Sequence, residues 1–502
     1  MSNHHSHQHS IDLSAIAHQA MLDAGFAPDM PQSVTTELQG LKADEQNLAD
    51  SSVRDLRSLL WSSIDDAKSR DLDQVEYVER LPDSLNRGVR VLIGIADVDA
   101  RVRQGSAIDA HAAANTTSVY TGVRTFPMLP EELSTDLTSL VGGADRTSIV
   151  TEMLVGTDGT VQQTQIYQAR LHNYAKLSYE AVGGWLDGRR ELPPEVAAVP
   201  NMEAQIRLQF EAAGHLRELR RKHGALELET LQATPVVNHT GQLTDLASVE
   251  RNGARDIIES FMIAANVSMA EFLEAKGVTS LRRVVRTPKY WPRIVELARD
   301  FNEELPAEPN SRALADFMAR RKAADPLHFP DLSLSIVKLL GPGEYTVQVP
   351  GASSEGHFGL AVHDYTHSTA PNRRYADLVT QRLVKAALKK RPTPYSASEL
   401  GSIAAHCTER EDAARKVERK MRKAAAAVLL GNRIGEQFDA IVTGDTPKGT
   451  FVRLVSPVVD GRVSRGEEGL RVGDQVRVRL LSTDPERGFI DFARTGGARG
   501  GN

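Results

Sequence analysis

The sequence has almost none of the features of a secreted or membrane protein. Cys407 is the one cysteine in 502 residues, so no internal disulfide can form, whereas secreted proteins of this size usually carry some. The most apolar run, residues 424–430, is far too short to span a bilayer. The first residues lack the basic-then-apolar layout of a signal peptide. We therefore expect a cytoplasmic protein that does not enter a membrane.

The composition is that of an ordinary globular protein, with 41% hydrophobic and 25% charged residues. The length predicts roughly two to four domains. The formal net charge is −6, which does not exclude nucleic-acid binding, because a basic stripe can lie beside an acidic site. Charge alone therefore decides nothing about function.

The N-terminal region has a helical pattern. Residues 1–10 read MSNHHSHQHS and predict a disordered tail. Residues 11–60 carry apolar side chains at three- and four-residue spacing, with prolines between two such stretches. This predicts a small helical domain, which is either helix-turn-helix-like or a helical clamp on the main domain.

Residues 61–430 combine strand and helix patterns. The apolar run 90–98 predicts a buried strand, and Asp158-Gly159 between two strand-like runs predicts a hairpin. Amphipathic stretches that end near glycine or a basic residue predict three long helices, at residues 204–224, 254–277 and 375–390.

From residue 432 to 495 the pattern changes to short alternating segments separated by glycine and aspartate. Five such segments predict a small β-barrel. The glycine-rich residues 496–502 predict a flexible tail. The chain as a whole is expected to have a multidomain α+β fold.

An acidic cluster lies at the start of the region 61–430. Asp65, Asp66, Asp71 and Asp73 fall within residues 62–77. Carboxylates that converge on one cavity repel one another and need cations, and hard oxygen ligands suit Mg²⁺ or Mn²⁺. A solvated acidic loop is the alternative that spacing alone leaves open.

Residues 94–140 carry IADV, a GS–hydrophobic–Asp step, SVY and PMLPEELS in that order. Together with the spacing of Asp65, Asp71 and Asp73, these motifs resemble the ribonuclease II (RNB) family. The resemblance implies a 3′→5′ exoribonuclease that hydrolyses single-stranded RNA to nucleoside 5′-monophosphates with Mg²⁺, or Mn²⁺ in its place. The RNB catalytic domain would span residues 61–430.

The resemblance also implies roles for the acidic cluster. Asp65, Asp71 and Asp73 would be the metal and acid/base carboxylates, and Asp73 matches the position on which the family's chemistry depends most. The family motif usually ends in two adjacent aspartates, whereas Gln74 follows Asp73 here. An amide offers one oxygen and no charge, so Gln74 is expected to be a weak metal ligand, for which Asp66 or Glu76 would have to compensate.

A second block, residues 357–383, resembles the other half of the family's site through a Tyr-Thr-His step, a proline turn and an arginine pair. Arginine can hold a phosphate with two charge-assisted bonds. By resemblance Arg373 would clamp the scissile or adjacent phosphate. For Arg374 a salt bridge at the helix start, for example with Asp377, is at least as good an interpretation as RNA contact.

Three further residues match RNA-contacting positions. By resemblance Tyr120 would stack on a base, Glu418 would face the 3′-terminal nucleotide, and Glu259 would weakly contact a ribose. Stacking on an aromatic face tolerates any base. The alternatives are a core tyrosine for Tyr120 and a surface salt bridge with Arg415 or Arg422 for Glu418.

The C-terminal segment resembles an S-one-type OB-fold domain that binds single-stranded RNA. Phe438 and Phe451 are the candidate stacking residues, with Arg453 nearby. Each of them can equally be a core residue of the barrel.

The N-terminal segment leaves no room for the two cold-shock-type barrels that commonly precede the catalytic domain in this family. We expect this to change substrate preference, particularly for duplexes. The competing hypothesis, supported by Gln74 alone, is an RNA-binding protein that keeps the fold but has lost activity. The chain is expected to be a monomer, and its protein partners are unknown.

Overall fold

The structure is a computed structural model that describes residues 11–43, 53–82, 88–229, 233–237, 243–248, 251–447 and 449–495. The predicted tails, 1–10 and 496–502, lie outside the described residues. The helices are α1 (Leu13–Asp23), α2 (Gln32–Ala43), α3 (Ala107–Asn115), α4 (Tyr179–Leu186), α5 (Pro194–Ala197), α6 (Met202–Lys222), α7 (Gly253–Ala275), α8 (Trp291–Asp300), α9 (Ser311–Ala324), α10 (Phe329–Leu340), α11 (Tyr375–Leu388) and α12 (Ala397–Leu430). The strands are β1 (Arg54–Asp55), β2 (Trp61–Asp65), β3 (Gln74–Arg80), β4 (Val89–Ala96), β5 (Val119–Tyr120), β6 (Thr125–Phe126), β7 (Asp145–Val155), β8 (Val161–Ser178), β9 (Ala233–Val237), β10 (Leu243–Ser248), β11 (Ser280–Val284), β12 (Glu344–Gln348), β13 (Gln437–Thr446), β14 (Gly449–Leu454), β15 (Asp460–Arg465), β16 (Gln475–Asp484) and β17 (Phe489–Arg494).

The central sheet has the strand order β1-β8-β2-β3-β4-β7, and β7 also pairs with β8. Strand β8 pairs with both β7 and β2, because its first part runs antiparallel to β7 and its last part runs parallel to β2. Strands β2, β3, β4, β7 and β8 are therefore joined in one closed series of pairings. Strand β4 is buried along nearly its whole length, as its apolar sequence predicts.

The predicted hairpin joins β7 to β8. Asp158 accepts a hydrogen bond from the backbone N–H of Thr160 at 3.0 Å, and Gly159 has φ +86°. Glycine adopts this left-handed conformation without steric cost. The turn therefore has the residues that its backbone conformation needs.

Helices cover both sides of the sheet. Helices α6 and α7 pack on one side, around Ile64, Val78 and Phe261. On the other side α3, α11 and the first turns of α12 form a second core around Trp61 and Leu92. Three of these helices, α6, α7 and α11, match the predicted amphipathic stretches to within a few residues. The predicted α+β fold class is confirmed.

One edge of the sheet collects the acidic cluster. Strands β2 and β3 are antiparallel, with Ser62 opposite Glu76. The end of β2 and the start of β3 therefore lie at the same edge, and Asp65 and Asp73 stand there. The turn before α11 packs on this edge through Asn372.

The two N-terminal helices pack against the α+β region, residues 61–430. Helix α1 lies on α12, and α2 lies on α3. Asn115 fastens the segment between the helices, because its amide accepts a hydrogen bond from the N–H of Ala27 and donates one to the carbonyl oxygen of Ala27, both at 2.9 Å. Arg410 donates to the carbonyl oxygen of Gly25 at 2.7 Å. This packing corresponds to the helical clamp, the second of the two arrangements that the sequence left open.

Strands β13 to β17 form a closed barrel in the order β13-β14-β15-β17-β16. The barrel core also takes in Ala427 and Leu430 at the end of α12, so this helix joins the barrel to the α+β region. Among the described residues, no helix is both long and apolar enough to cross a bilayer.

Candidate active site

Asp73 and Arg373, which are 300 positions apart in the chain, meet at the edge of the sheet. Asp73 is 1% exposed. Its carboxylate accepts a hydrogen bond from the backbone N–H of Asn372 at 3.0 Å and another from Nε of Arg373 at 3.1 Å. Burial raises the pKa of Asp73 to about 7, against the opposing effects of Arg373 and the Asn372 N–H. Asp73 is thus a buried carboxylate whose charge the protein itself compensates.

The side chain of Arg373 is 44% exposed, although its Nε is engaged with Asp73. The guanidinium therefore remains accessible to a ligand. The turn that presents it is fixed by Asp377, which is fully buried. Asp377 accepts hydrogen bonds from the backbone N–H of Ala370 at 2.8 Å and from Nη2 of Arg374 at 2.7 Å. Arg374 thus forms the salt bridge that was the alternative to RNA contact.

Tyr120 connects two other candidate residues. Its hydroxyl donates to Asp71 at 3.0 Å, and its backbone N–H donates to Glu418 at 3.1 Å. Its side chain is 41% exposed, yet burial raises the pKa of its phenol strongly. Part of the side chain is therefore accessible to solvent. Burial likewise raises the pKa of Glu418.

Asp65 has different hydrogen-bond partners from Asp71 and Asp73. It ends β2 and accepts a hydrogen bond from the N–H of Asp66 at 2.7 Å. Burial raises the pKa of Asp65. The neighbouring Asp66 pairs with Arg255 at 2.9 Å and is mostly exposed. Within the described ranges, no three His, Cys, Asp or Glu side chains lie close enough together to hold a metal ion, so the predicted carboxylates do not converge in this conformation.

Gln74 and Glu76 lie on the same face of β3, because side chains alternate along a strand. Gln74 is 7% exposed and Glu76 is fully buried. Among the described residues neither carboxylate oxygen of Glu76 has a hydrogen-bond partner. Burial, and then the charge of Asp65, raises the pKa of Glu76 well above its usual value. An orphaned buried carboxylate next to Asp65 fits a centre that a cation completes.

Glu259 lies on α7, where it faces Arg251 at 3.4 Å. The barrel candidates are less accessible than an RNA contact requires. Phe438 is 5% exposed and packs edge-on against Phe492 in the barrel core. Arg453 is 7% exposed and pairs with Asp331 on α10 at 3.0 Å. Phe438 is therefore a core residue, which is the alternative that the sequence left open, and Arg453 is held in a salt bridge to α10.

Phe451 is half-buried on β14, so it remains the barrel's accessible stacking candidate. Two features of the site carry no clear sequence signal. The Asn372 contact with Asp73 is made by a backbone N–H, which any residue except proline has. The isolation of Glu76 depends on the absence of donors from helices distant in sequence.

Comparison with known proteins decides the family. The RNB domain model matches residues 53–390, and the model of the RNase II-type exonuclease C-terminal S1 domain matches residues 436–495. This chain belongs to the RNB family. Exoribonucleases of this family are metal-dependent nucleases.

Two curated relatives are both named ribonuclease R. The Thermotoga maritima protein is 30% identical over 511 residues, covering 96% of this chain and 70% of the relative. The Escherichia coli protein is 29% identical over 499 residues, covering 92% of this chain but 60% of the relative. The chain thus spans about two thirds of these relatives' length.

The fold also matches solved structures. Mycoplasma genitalium RNase R in complex with ribose-methylated single-stranded RNA superposes with a TM-score of 0.86 at 23% identity, covering 96% of this chain and 78% of that one. At this identity the match shows the RNase R fold and no more.

Proposed function

We propose that this chain is a 3′→5′ exoribonuclease that hydrolyses single-stranded RNA to nucleoside 5′-monophosphates. The observation that carries the proposal is the contact between buried Asp73 and accessible Arg373. It puts a carboxylate beside a phosphate-binding group at the edge where the acidic cluster lies. Membership of the RNB family and an S1-type barrel support the same activity.

In this proposal the guanidinium of Arg373 binds a phosphate through its exposed donors, while its Nε stays on Asp73. Arg373 then stabilises the charge that develops on the phosphate during hydrolysis. Asp73 is held in place by two hydrogen bonds, so it does not have to reorganise when the substrate binds.

Tyr120 and Glu418 form a second part of the proposed site. The exposed Tyr120 ring is placed to stack on a base, and the Glu418 carboxylate, bonded to the Tyr120 N–H, lies next to it. Tyr120 and Glu418 together are called the platform. The hydrogen bond from the Tyr120 hydroxyl to Asp71 links the platform to the acidic cluster. A nucleotide on the platform would thus be held near Arg373.

The cation that completes the site is proposed to be Mg²⁺, because hard oxygen ligands from Asp65, Asp71 and Asp73 suit it. When bound, such an ion would supply a Lewis acid for the phosphate oxygens and lower the pKa of a water. The amide oxygen of Gln74 would contribute no charge.

The test uses 5′-labelled single-stranded RNA with Mg²⁺, and EDTA and Asp73→Asn as controls. The expected result is release of mononucleotides and collapse of the label to a short oligomer only when both metal and Asp73 are present. Gln74 favours the alternative of a binding protein without activity. RNA that binds tightly but stays intact with both Mg²⁺ and Mn²⁺ would establish that alternative.

A further inference from the structure

Glu76 is a buried carboxylate without a visible counter-charge. It lies in β3, it is 0% exposed, and both of its carboxylate oxygens lack a partner among the described residues. Such a group is costly, because no donor among the described residues replaces the hydration it has lost. Protonation alone does not resolve this, since a carboxylic acid still needs an acceptor for its O–H.

Among the described residues, no side chain pairs with the Glu76 carboxylate. The backbone carbonyl of Glu76 and the hydroxyl of Ser62, opposite on β2, contact the Gln209 amide. Arg255 packs its guanidinium 4.2 Å from the centre of the Tyr179 ring, but it is paired with Asp66. Gln209 and Arg255 are therefore engaged with groups other than the Glu76 carboxylate.

Asp65 is the charged neighbour of Glu76. Asp65 ends β2, and Ser62 of the same strand lies opposite Glu76, so the two carboxylates belong to paired strands. Burial, and then the charge of Asp65, raises the pKa of Glu76. Asp65 is half-buried, so solvent reaches it. A cation that binds Asp65 from the solvent side would therefore reach the strand that pairs with the strand of Glu76.

The position of Gln74 indicates a role for the buried Glu76 carboxylate. Gln74 stands where the RNB motif usually has a charged aspartate, and Glu76 lies two residues further along the same face of β3. Two residues of strand correspond to about 7 Å between Cα atoms, and glutamate reaches one methylene further than aspartate. The Glu76 side chain can thus span part of that separation.

We propose that Glu76 supplies the charge missing at Gln74 and joins Asp65 as a ligand of the divalent cation of this site. The proposal rests on the proposed function only in taking the site to be metal-dependent. Glu76 would move from its orphaned position toward Asp65 when the cation arrives. Asp73 keeps its own counter-charge in Arg373.

The test is Mn²⁺ binding to the full chain, measured by the electron paramagnetic resonance signal of free Mn²⁺. We expect Glu76→Gln to weaken Mn²⁺ binding by about 10-fold or more. Gln74→Asp in the Glu76→Gln background should restore most of the lost affinity, because it returns the charge two residues earlier. Glu79→Gln is the matched control, because Glu79 lies on the same strand but is paired with Arg90, and it should bind Mn²⁺ like the wild type.

Unchanged Mn²⁺ affinity in a folded Glu76→Gln protein would overturn the proposal. If that variant does not fold, terbium luminescence of the wild type gives the answer, because tyrosine sensitises a bound Tb³⁺ ion. Loss of emission in Tyr179→Phe would support a site at Asp65 and Glu76. Loss in Tyr120→Phe alone would place the ion at Asp71 and overturn the proposal.

Binding and turnover are measured separately. If Mn²⁺ binding depends on Glu76 while RNA stays intact, the metal site stands and the proposed exoribonuclease activity fails. If RNA is degraded and Glu76→Gln leaves Mn²⁺ binding unchanged, the activity stands and the role of Glu76 fails.

Discussion

The acidic edge consists of the sheet edge at Asp65 and Asp73 together with Glu76 on β3. Its Asp73 end and its Glu76 end differ in the partners of their buried carboxylates. Asp73 is buried against donors that the protein supplies, from the Asn372 backbone and Arg373. Glu76 is buried more completely, yet has no donor among the described residues. The Asp73 end is partly preorganised before any ligand arrives, because two hydrogen bonds offset part of the cost of its buried charge. Under the proposal above, the Glu76 end is compensated when a cation binds.

The largest expected effect comes from breaking the compensated end. Asp73→Asn keeps the shape of the side chain but removes its charge and proton-accepting ability. We expect single-turnover RNA cleavage to fall on the order of 10³-fold or more. Asp66→Asn should retain most of the activity, because Asp66 is exposed and paired with Arg255. Equal loss in both variants would mean that the whole acidic loop matters only through its net charge.

Arg373→Lys tests whether the Asp73 end depends on the geometry of the Arg373 guanidinium or only on its charge. Lysine keeps the positive charge but loses the planar fork that can hold Asp73 and a phosphate together. We expect kcat to fall about 10²-fold, with a smaller effect on RNA binding.

The matched control is Arg374→Lys, which should lower the free energy of unfolding instead, because Arg374 bonds buried Asp377. A wild-type kcat in Arg373→Lys would contradict the proposed role of the guanidinium.

Tyr120→Ala tests the platform beside the acidic edge. Loss of base stacking costs about 1–3 kcal/mol, so KM for RNA should rise about 5- to 150-fold. Tyr120→Phe keeps the ring and loses only the hydrogen bond to Asp71, and it should have a much smaller effect. If the two variants behave alike, the hydroxyl and not the stacked ring is the functional part.

Much of the fold follows from sequence patterns. The apolar run of β4, the Asp158-Gly159 hairpin and the alternating strands of the barrel are local patterns with local structural consequences. The partner of α1 could not be predicted in this way, because an apolar helix face shows that a helix packs but not against which surface.

Part of the candidate site could likewise be predicted from the sequence, and part of it could not. Resemblance selected Asp73 and Arg373, and they do contact each other. Alternation along β13 predicts that Phe438 shares a face with Ala440 and Val442, but not that this face is the core. The bare environment of Glu76 depends on which helices cover β3, and a local pattern contains no information about that.

The smallest expected effect separates the two ends by stability in EDTA. Asp73→Asn should stay within about 1 kcal/mol of the wild-type free energy of unfolding at pH 7, because relief of a buried carboxylate, whose pKa burial raises to about 7, offsets the hydrogen bonds from the Asn372 N–H and Arg373 that lose their charged acceptor. Glu76→Gln should leave the free energy of unfolding unchanged or raise it by about 1–3 kcal/mol, because it removes a buried carboxylate that has no partner among the described residues. Urea unfolding of both variants and the wild type makes the comparison. A Glu76→Gln protein that is less stable than Asp73→Asn would mean that the protein itself compensates Glu76 in solution, and the contrast between the two ends would disappear.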